Sequence, residues 1–400
     1  MAQRNTPTRR PRDRRQQIIA SASLQFRGAG YHNVGITEIA EAVGITSGAL
    51  YRHFSGKQDL LFAAVEDTVE RLRTVWAHPD HSLEELLDAT CALVTHGPHL
   101  GVLWAREITH LSADQQRELR ARVLAAIEPL RSALARERQD LSPDAVDLLL
   151  WAAVGVIGSA GFYAMKLDAD KQQARLLEGC LAVCRNVTVA AVDAAQELDS
   201  TLPLPGALLP ASRQEAILAA ATRLFSTRGY QAVGVDDIGA VAGITGATVY
   251  HHYPNKSAIL RAALLRGLQA MLFDLSGALE SSTTPADALA KLVHFYTRTS
   301  VEHGQVIAAL RNEAINLPAE ERRSLMHAQV DYLAEWVALL GRYRAELSEP
   351  EARVLVEATT STISSILAIP HLRRRPTLRA ELESIGRAIL GLPDESAGMR

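Results

Sequence analysis

Two stretches of the chain, 199 residues apart, present the same chemically active side chains at the same spacing: Tyr51, His53 and Lys57 in the first, Tyr250, His252 and Lys256 in the second. A phenol, an imidazole and an ammonium can each donate a hydrogen bond to a phosphate oxygen. Arg52 and His251 sit between them and add further donors. Just upstream come Thr46, Ser47 and Gly48, and again Thr245, Gly246, Ala247 and Thr248. Hydroxyls and small side chains at such positions let a backbone approach base edges and phosphates closely. Together with Thr37, these are the candidate nucleic-acid-facing residues. Each tyrosine can also be read as a half-buried packing residue, and each histidine as a structural one. Neither histidine has the partner spacing of a metal site, and no catalytic residue or cofactor motif is expected.

What must position these residues is a pair of short helices, and the chain encodes that pair twice. At the constant shift of 199, Ile18, Ala22, Phe26 and Ile39 return as Ile217, Ala221, Phe225 and Ile238, and Gly44-Ile45-Thr46 returns as Gly243-Ile244-Thr245. A fainter match, Glu107, Leu111 and Leu119 with Glu313, Leu317 and Leu325, extends the duplication over the half-chain. In the first copy Ile18, Ala22 and Phe26 recur every fourth position, which predicts a helix over 14–26. A second helix is expected over 37–43, with Thr37 as N-cap. Gly44 makes the turn. A third helix over 47–54 buries Leu50 and Phe54 and leaves Ser47, Gly48, Tyr51 and Arg52 outward. A fourth starts at Lys57. Two short helices joined by a tight glycine turn are the geometry that sets a second helix in the DNA major groove.

The run from Ile36 to Lys57, ITEIAEAVGITSGALYRHFSGK, closely resembles the DNA-binding signature of the TetR/AcrR family of transcription regulators, and Val235 to Lys256 resembles it equally well. Gln25 departs from the family's usual apolar residue, with Leu24 as the expected replacement by a small rotation of the first helix. The resemblance implies an all-α fold of two halves. Each half would hold a three-helix DNA-binding domain followed by a helical ligand-binding and dimerisation domain. The expected layout is a disordered basic arm over 1–12, helix-turn-helix domains over 13–60 and 212–259, regulatory domains over 61–199 and 260–392, a linker over 200–211 and a tail over 393–400. Such proteins usually carry one DNA-binding unit and dimerise; here the two halves of one chain can form an intrachain pseudo-dimer, with room for chains to pair further.

Charge sharpens this picture. The net charge of −3 hides nine basic and three acidic residues in 1–57, a local +6, whereas 211–256 holds four and three, a local +1. The first copy and its arginine-rich arm are expected to bind phosphates more strongly. With 48% hydrophobic residues the chain can fill real cores, and it has no apolar run of membrane-spanning length, so a cytoplasmic location is expected. Cys180 and Cys184, one helical turn apart, read as buried thiols. The small-residue run from Trp151 to Ala164 and its counterpart Thr359 to Ser365 are expected to pack as neighbouring helices, each with an ordinary core helix as the alternative.

The regulatory halves are less specific. Trp104, Glu107 and Phe162 in the first, and Glu313 and Trp336 in the second, either line an effector pocket or fill the core and its charged edge. Arg373 to Arg375 is either a solvated loop or a contact for an acidic effector. The expected function is a sequence-specific repressor that binds a double-stranded operator and is released by a small apolar effector. The competing reading is a ligand-binding or scaffold protein that no longer depends on DNA. Without a phosphate loop, nucleophile elbow or metal-binding spacing, an enzyme is not expected.

Overall fold

The computed structural model describes residues 11–77, 81–96, 108–161, 167–189, 210–304, 307 and 313–393, and every regular element among them is helical. It divides into two compact units, residues 1–80 with 96–129 and residues 81–95 with 130–400.

The first unit begins with α1 (Pro11–Ala29), α2 (Ile36–Ala42), α3 (Ser47–Leu50) and α4 (Lys57–Trp76). The first helix starts at Pro11, inside the expected arm, because proline at a first helical position gives up no hydrogen bond. It runs on through Gly28 to Ala29, past the expected stop at Phe26. Ile18, Ala22, Phe26, Ile39, Leu50, Phe54, Leu60 and Leu61 form one core, joined by Ile108, Leu111 and Leu119 from a 3-10 turn (Ile108–His110) and the start of α6 (Ala113–Glu137). Leu24 does not replace Gln25 in that core: it is 51% exposed, and Gln25 instead donates to Ser21 Oγ over 3.1 Å. The α1 register is thus unrotated, with the polar residue tolerated at the edge.

The second unit contains α5 (Leu83–His96), the C-terminal part of α6, α7 (Pro143–Gly158) and α8 (Ala169–Asn186) from the first half. From the second half it contains α9 (Arg213–Arg228), α10 (Val235–Ala242), α11 (Gly246–His252), α12 (Lys256–Glu280), α13 (Pro285–Glu302), α14 (Ala319–Tyr343), α15 (Glu349–Leu367) and α16 (Leu378–Leu390). The core of the second helix-turn-helix repeats the first position for position: Ile217, Ala221, Phe225, Ile238, Val249, Tyr253, Ile259 and Leu260 are all buried.

The compact units therefore do not follow the duplication, and the reason is packing. α7 and α8 lie against α15 and α16, so that four helices from the two halves share one core. The expected small-residue contact is present: a Cβ built on Gly155 would lie 2.9 Å from the Cα of Thr362. Gly179 of α8 faces Val156, Leu355 and Ile389 in the same way. At the rim, Arg344 pairs with Glu178 over 2.6 Å and His371 Nε2 lies 2.7 Å from Asp147 Oδ2. Arg375 is not a solvated loop residue, because its guanidinium forks onto Glu381 over 2.7 and 2.8 Å, with both side chains nearly buried. Cys91, Cys180 and Cys184 are buried free thiols; burial pushes Cys184 up to about 12 and raises Cys180 well above the ordinary thiol value.

Candidate nucleic-acid interface

Each site is built from a cap, a turn and a short helix. Gly35, not Thr37, is the N-cap of α2: its amide donates to Glu38 Oε2 over 2.9 Å, as Gly234 does to Asp237 Oδ2 over 2.8 Å. A carboxylate three residues inside satisfies an otherwise orphan amide and places negative charge at the favourable end of the helix. Thr37 thereby moves into the first turn of α2, exposed, where its Oγ1 accepts from Ser47 Oγ over 3.2 Å. The turns are closed by Gly44 at φ +68° and Gly243 at φ +69°, the left-handed region that side chains resist.

Thr46 and Thr245 then cap the candidate recognition helices, accepting from Ala49 N and Thr248 N over 3.2 and 3.3 Å. Their hydroxyls are acceptors toward the helix, which leaves the O–H of Thr46 as a donor outward. The expected helix over 47–54 is only a single turn, Ser47–Leu50, followed by turns through His53, whereas the second copy keeps seven helical residues to His252. Tyr51 and Tyr250 are 53% and 55% exposed, too open for packing residues. Arg52, His53, His251 and His252 are exposed beside them, and so are Gly48 and Ala247; Ser47 and Thr248 are partly exposed.

Gly246 and the two lysines differ from expectation. Gly246 is buried, and a Cβ there would meet the carboxylate of Asp236, the residue that replaces Thr37 in the second copy. Lys57 and Lys256 do not reach outward. Lys256 Nζ donates to the carbonyls of Tyr230 and Val233 over 2.9 and 3.0 Å and lies 4.1 Å from the Tyr230 ring centroid. Lys57 donates to His32 O over 3.3 Å and lies 4.5 Å from the Tyr31 ring. Each lysine fastens the loop after the first helix to the start of the fourth. Burial lowers the Lys256 pKa, a shift the nearby Glu313 carboxylate opposes.

The expected pocket residues come apart. Glu313 is at the base of the second helix-turn-helix, where Oε2 accepts from Tyr230 N over 3.2 Å and from Asn316 Nδ2 over 2.8 Å. Trp336 is fully buried, edge-on to Tyr296 and Tyr332. Trp104, Glu107 and Phe162 lie outside the described residues, as do residues 1–10 of the arm and most of the linker. Sequence reading missed Asp236 and the cap glutamate Glu38. It also missed Arg14, which donates to Val43 O over 2.9 Å, and Arg15, whose guanidinium lies 5.1 Å from the Phe54 ring. The exchange of Thr37 with Ser47 for Asp236 with Gly246 was the visible signal for the first of these.

An all-helical protein with two exposed, capped helix-turn-helix units is a double DNA-binding-type scaffold. The family model described as "Bacterial regulatory proteins, tetR family" matches it twice, over residues 18–64 and 217–263. The chain thus carries two helix-turn-helix domains of the TetR family in tandem. It is 43% identical over 65 residues to the HTH-type transcriptional activator FasR of Mycolicibacterium smegmatis, covering 16% of this chain and 30% of that one. It is 31% identical over 111 residues to the transcriptional regulator HbdR of Aromatoleum, covering 26% and 48%, and 30% identical over 99 residues to the transcriptional repressor KstR2 of Mycolicibacterium smegmatis, covering 24% and 48%. The chain thus spans less than half the length of each of these relatives. Among solved structures, KstR2 of Mycobacterium tuberculosis matches with a TM-score of 0.41 at 19% identity, over 46% of this chain and 97% of that one.

Proposed function

We propose that this protein is a transcription repressor in which one chain supplies both DNA-reading heads. The observation that carries this is the doubled pairing of a threonine-capped short helix with a half-exposed tyrosine, Thr46 with Tyr51 and Thr245 with Tyr250. Phosphates recruit the tyrosines and threonine hydroxyls, and Arg52, His53, His251 and Ala247 face the base edges. The packing of α7 and α8 on α15 and α16 supports an intrachain pseudo-dimer. Because the heads differ at Ser47 and Gly246, Gly48 and Ala247, and Arg52 and His251, the operator is asymmetric. The cytoplasm, where DNA is reached directly, is the proposed compartment, and no described helix is long and apolar enough to cross a membrane.

Release by a small apolar effector has its best support in the second half. There the rings of Tyr296 and Tyr332 each pack edge-on against the buried Trp336, and α13 adds Thr297 and Ser300, whose buried hydroxyls have no hydrogen-bond partner. A ligand with one polar group and an apolar body would match these rings and hydroxyls. The test is a mobility shift on DNA upstream of the protein's own and neighbouring genes. Tyr51→Ala is expected to weaken binding more than Tyr250→Ala, by about tenfold against threefold, roughly 1.4 against 0.7 kcal/mol for lost phosphate contacts in heads of unequal charge. The double variant is expected to abolish the shift. Wild-type protein that shifts none of these fragments would refute the regulator reading.

A further inference from the structure

A carboxylate separates the second head from the first. At the 199-residue shift Asp236, in the first turn of α10, takes the place of Thr37, and Gly246, the first residue of α11, takes the place of Ser47. A Cβ built on Gly246 would meet Oδ1 of Asp236 and stand 3.1 Å from its Cγ and 3.5 Å from its Cα, so the carboxylate fills the space over the start of the short helix. Two features hold it there. Gly234 N donates to Asp237 Oδ2 over 2.8 Å and fixes the first turn of α10. Gly239, where the first head has Ala40, lets α10 lie close, since a Cβ there would stand 2.8 Å from Ile244 O and 3.1 Å from Gly246 N.

The neighbouring polar groups are already engaged. Asp237 is held by Gly234 N and lies 3.8 Å from Arg228, and the Thr245 and Thr248 hydroxyls share a hydrogen bond over 2.9 Å. Asp236 is exposed and has no hydrogen bond or ion pair among the described residues. An open acceptor therefore stands at the N-terminal end of α11, the end that meets base edges when such a helix enters the major groove. In the first head the Thr37 and Ser47 hydroxyls bond each other over 3.2 Å and can both donate and accept, which suits any base; a carboxylate only accepts.

We propose that Asp236 is a base-selecting residue of the second head, an acceptor for the N4 amino group of a cytosine in the major groove. The exocyclic donors there belong to cytosine and adenine; adenine sets its N7 acceptor beside the donor, which repels a carboxylate, and cytosine sets a C–H there. The carboxylate also repels the phosphates that flank the groove, so it weakens binding to every sequence and weakens it least where the amino group meets it. The first head carries no such filter at the equivalent place. The inference rests on the DNA-reading role proposed above and adds to it the base that one half-site must present.

The test is selection from a duplex pool with a randomised window by the full chain, as wild type, as Asp236→Asn and as Asp236→Thr with Gly246→Ser. Wild type is expected to enrich cytosine about tenfold over the other bases at one position of one half-site, within the range of a single mismatched pair. Asparagine keeps the shape of the side chain but offers a donor with its acceptor, so Asp236→Asn should move the preference at that position to adenine. The Thr–Ser variant should level it, and the other half-site should keep its bases in all three proteins. Enrichment of the same bases by all three, or a wild-type preference for any base but cytosine at the position that changes, would overturn this proposal alone. A wild-type chain that enriches no sequence would overturn the DNA-reading role and this proposal with it.

Discussion

Replacing Gly155 probes the seam between the halves, because its place in α7 leaves no room for a side chain. A Cβ there would stand 2.9 Å from the Thr362 Cα, 3.1 Å from its Oγ1 and 3.3 Å from its Cβ. Carbon atoms in ordinary contact sit about 3.5 Å or more apart, so α7 and α15 must separate by roughly 0.6 Å to admit even alanine. The obstacle is backbone, which cannot swing aside as a side-chain tip does. Overpacking of this kind costs about 1–3 kcal/mol, against a gain of at most about 1 kcal/mol from removing a helical glycine. Gly155→Ala should therefore destabilise by about 1 kcal/mol, and Gly155→Val, with two further methyl groups, by about 3 kcal/mol. At about 2 °C per kcal/mol for a unit of this size, valine should lower the midpoint of the second unit's transition by about 6 °C in scanning calorimetry. Gly158 lies three residues further along α7, and a Cβ built on it meets nothing within 4 Å. Gly158→Val should leave the midpoint within about 1 °C of wild type, since surface changes stay near 0.5 kcal/mol. Equal midpoints for the two valine variants would refute the claim that the halves are joined by backbone contact at this point.

Two further outcomes follow from the second half. Glu357 of α15 is buried, its Oε1 has no hydrogen-bond partner, and burial pushes its pKa from 4.5 up to about 8. The folded protein keeps a proton that the unfolded chain gives up, so stability should fall as pH rises from 4.5 toward about 8, by at most about 4 kcal/mol. Glu357→Gln should flatten that dependence and raise stability at pH 8; an unchanged slope in denaturant titrations across this window would show that another group sets it. In the second head, Gly246→Ser alone drives the new Cβ into the Asp236 carboxylate, while Asp236→Thr with Gly246→Ser recreates the Thr37–Ser47 pair of the first head. The double variant should bind the operator about two- to tenfold more tightly, since about 0.5–1.4 kcal/mol of repulsion between solvated charges is removed. Its binding should also depend more steeply on salt, and unchanged affinity would mean that Asp236 does not face phosphate.

The helix-turn-helix units were legible because several independent patterns agree within about 50 residues: helical periodicity, a glycine at the turn, a threonine before the short helix, and repetition of all three. Ile18, Ala22, Phe26, Ile39, Leu50 and Phe54, read from that periodicity, are all buried, whereas Leu24, expected to stand in for Gln25, is exposed and Val43 is only partly buried. The lysines were misread for a physical reason. Spacing places Lys57 and Lys256 at the start of a helix, but a flexible four-carbon stem lets the ammonium turn back to the loop carbonyls and an aromatic face. Glu313 was misplaced similarly, since an isolated acid in an apolar stretch looks the same whether it meets a ligand or a backbone amide 83 residues away. The boundary between halves marks where the chain was duplicated. The boundary between compact units marks where side chains pack, and that depends on α7 finding α15 across more than 200 residues.

Two of the differences between the copies fall on pairs of residues that touch. Thr37 with Ser47 becomes Asp236 with Gly246, and His32 with His110 becomes Gln231 with Asn316. A side chain that grows is matched by one that shrinks, and a titratable donor–acceptor pair by a neutral one. Each exchange preserves the contact, and the first also adds a carboxylate to the second head. Loss of function with continued folding would leave the exposed, contact-free positions to drift first, yet Tyr51 and Tyr250 are the same residue at nearly equal exposure. At these two places the copies keep a contact while its chemistry changes, and the exposed tyrosine that would meet a phosphate backbone is kept in both heads.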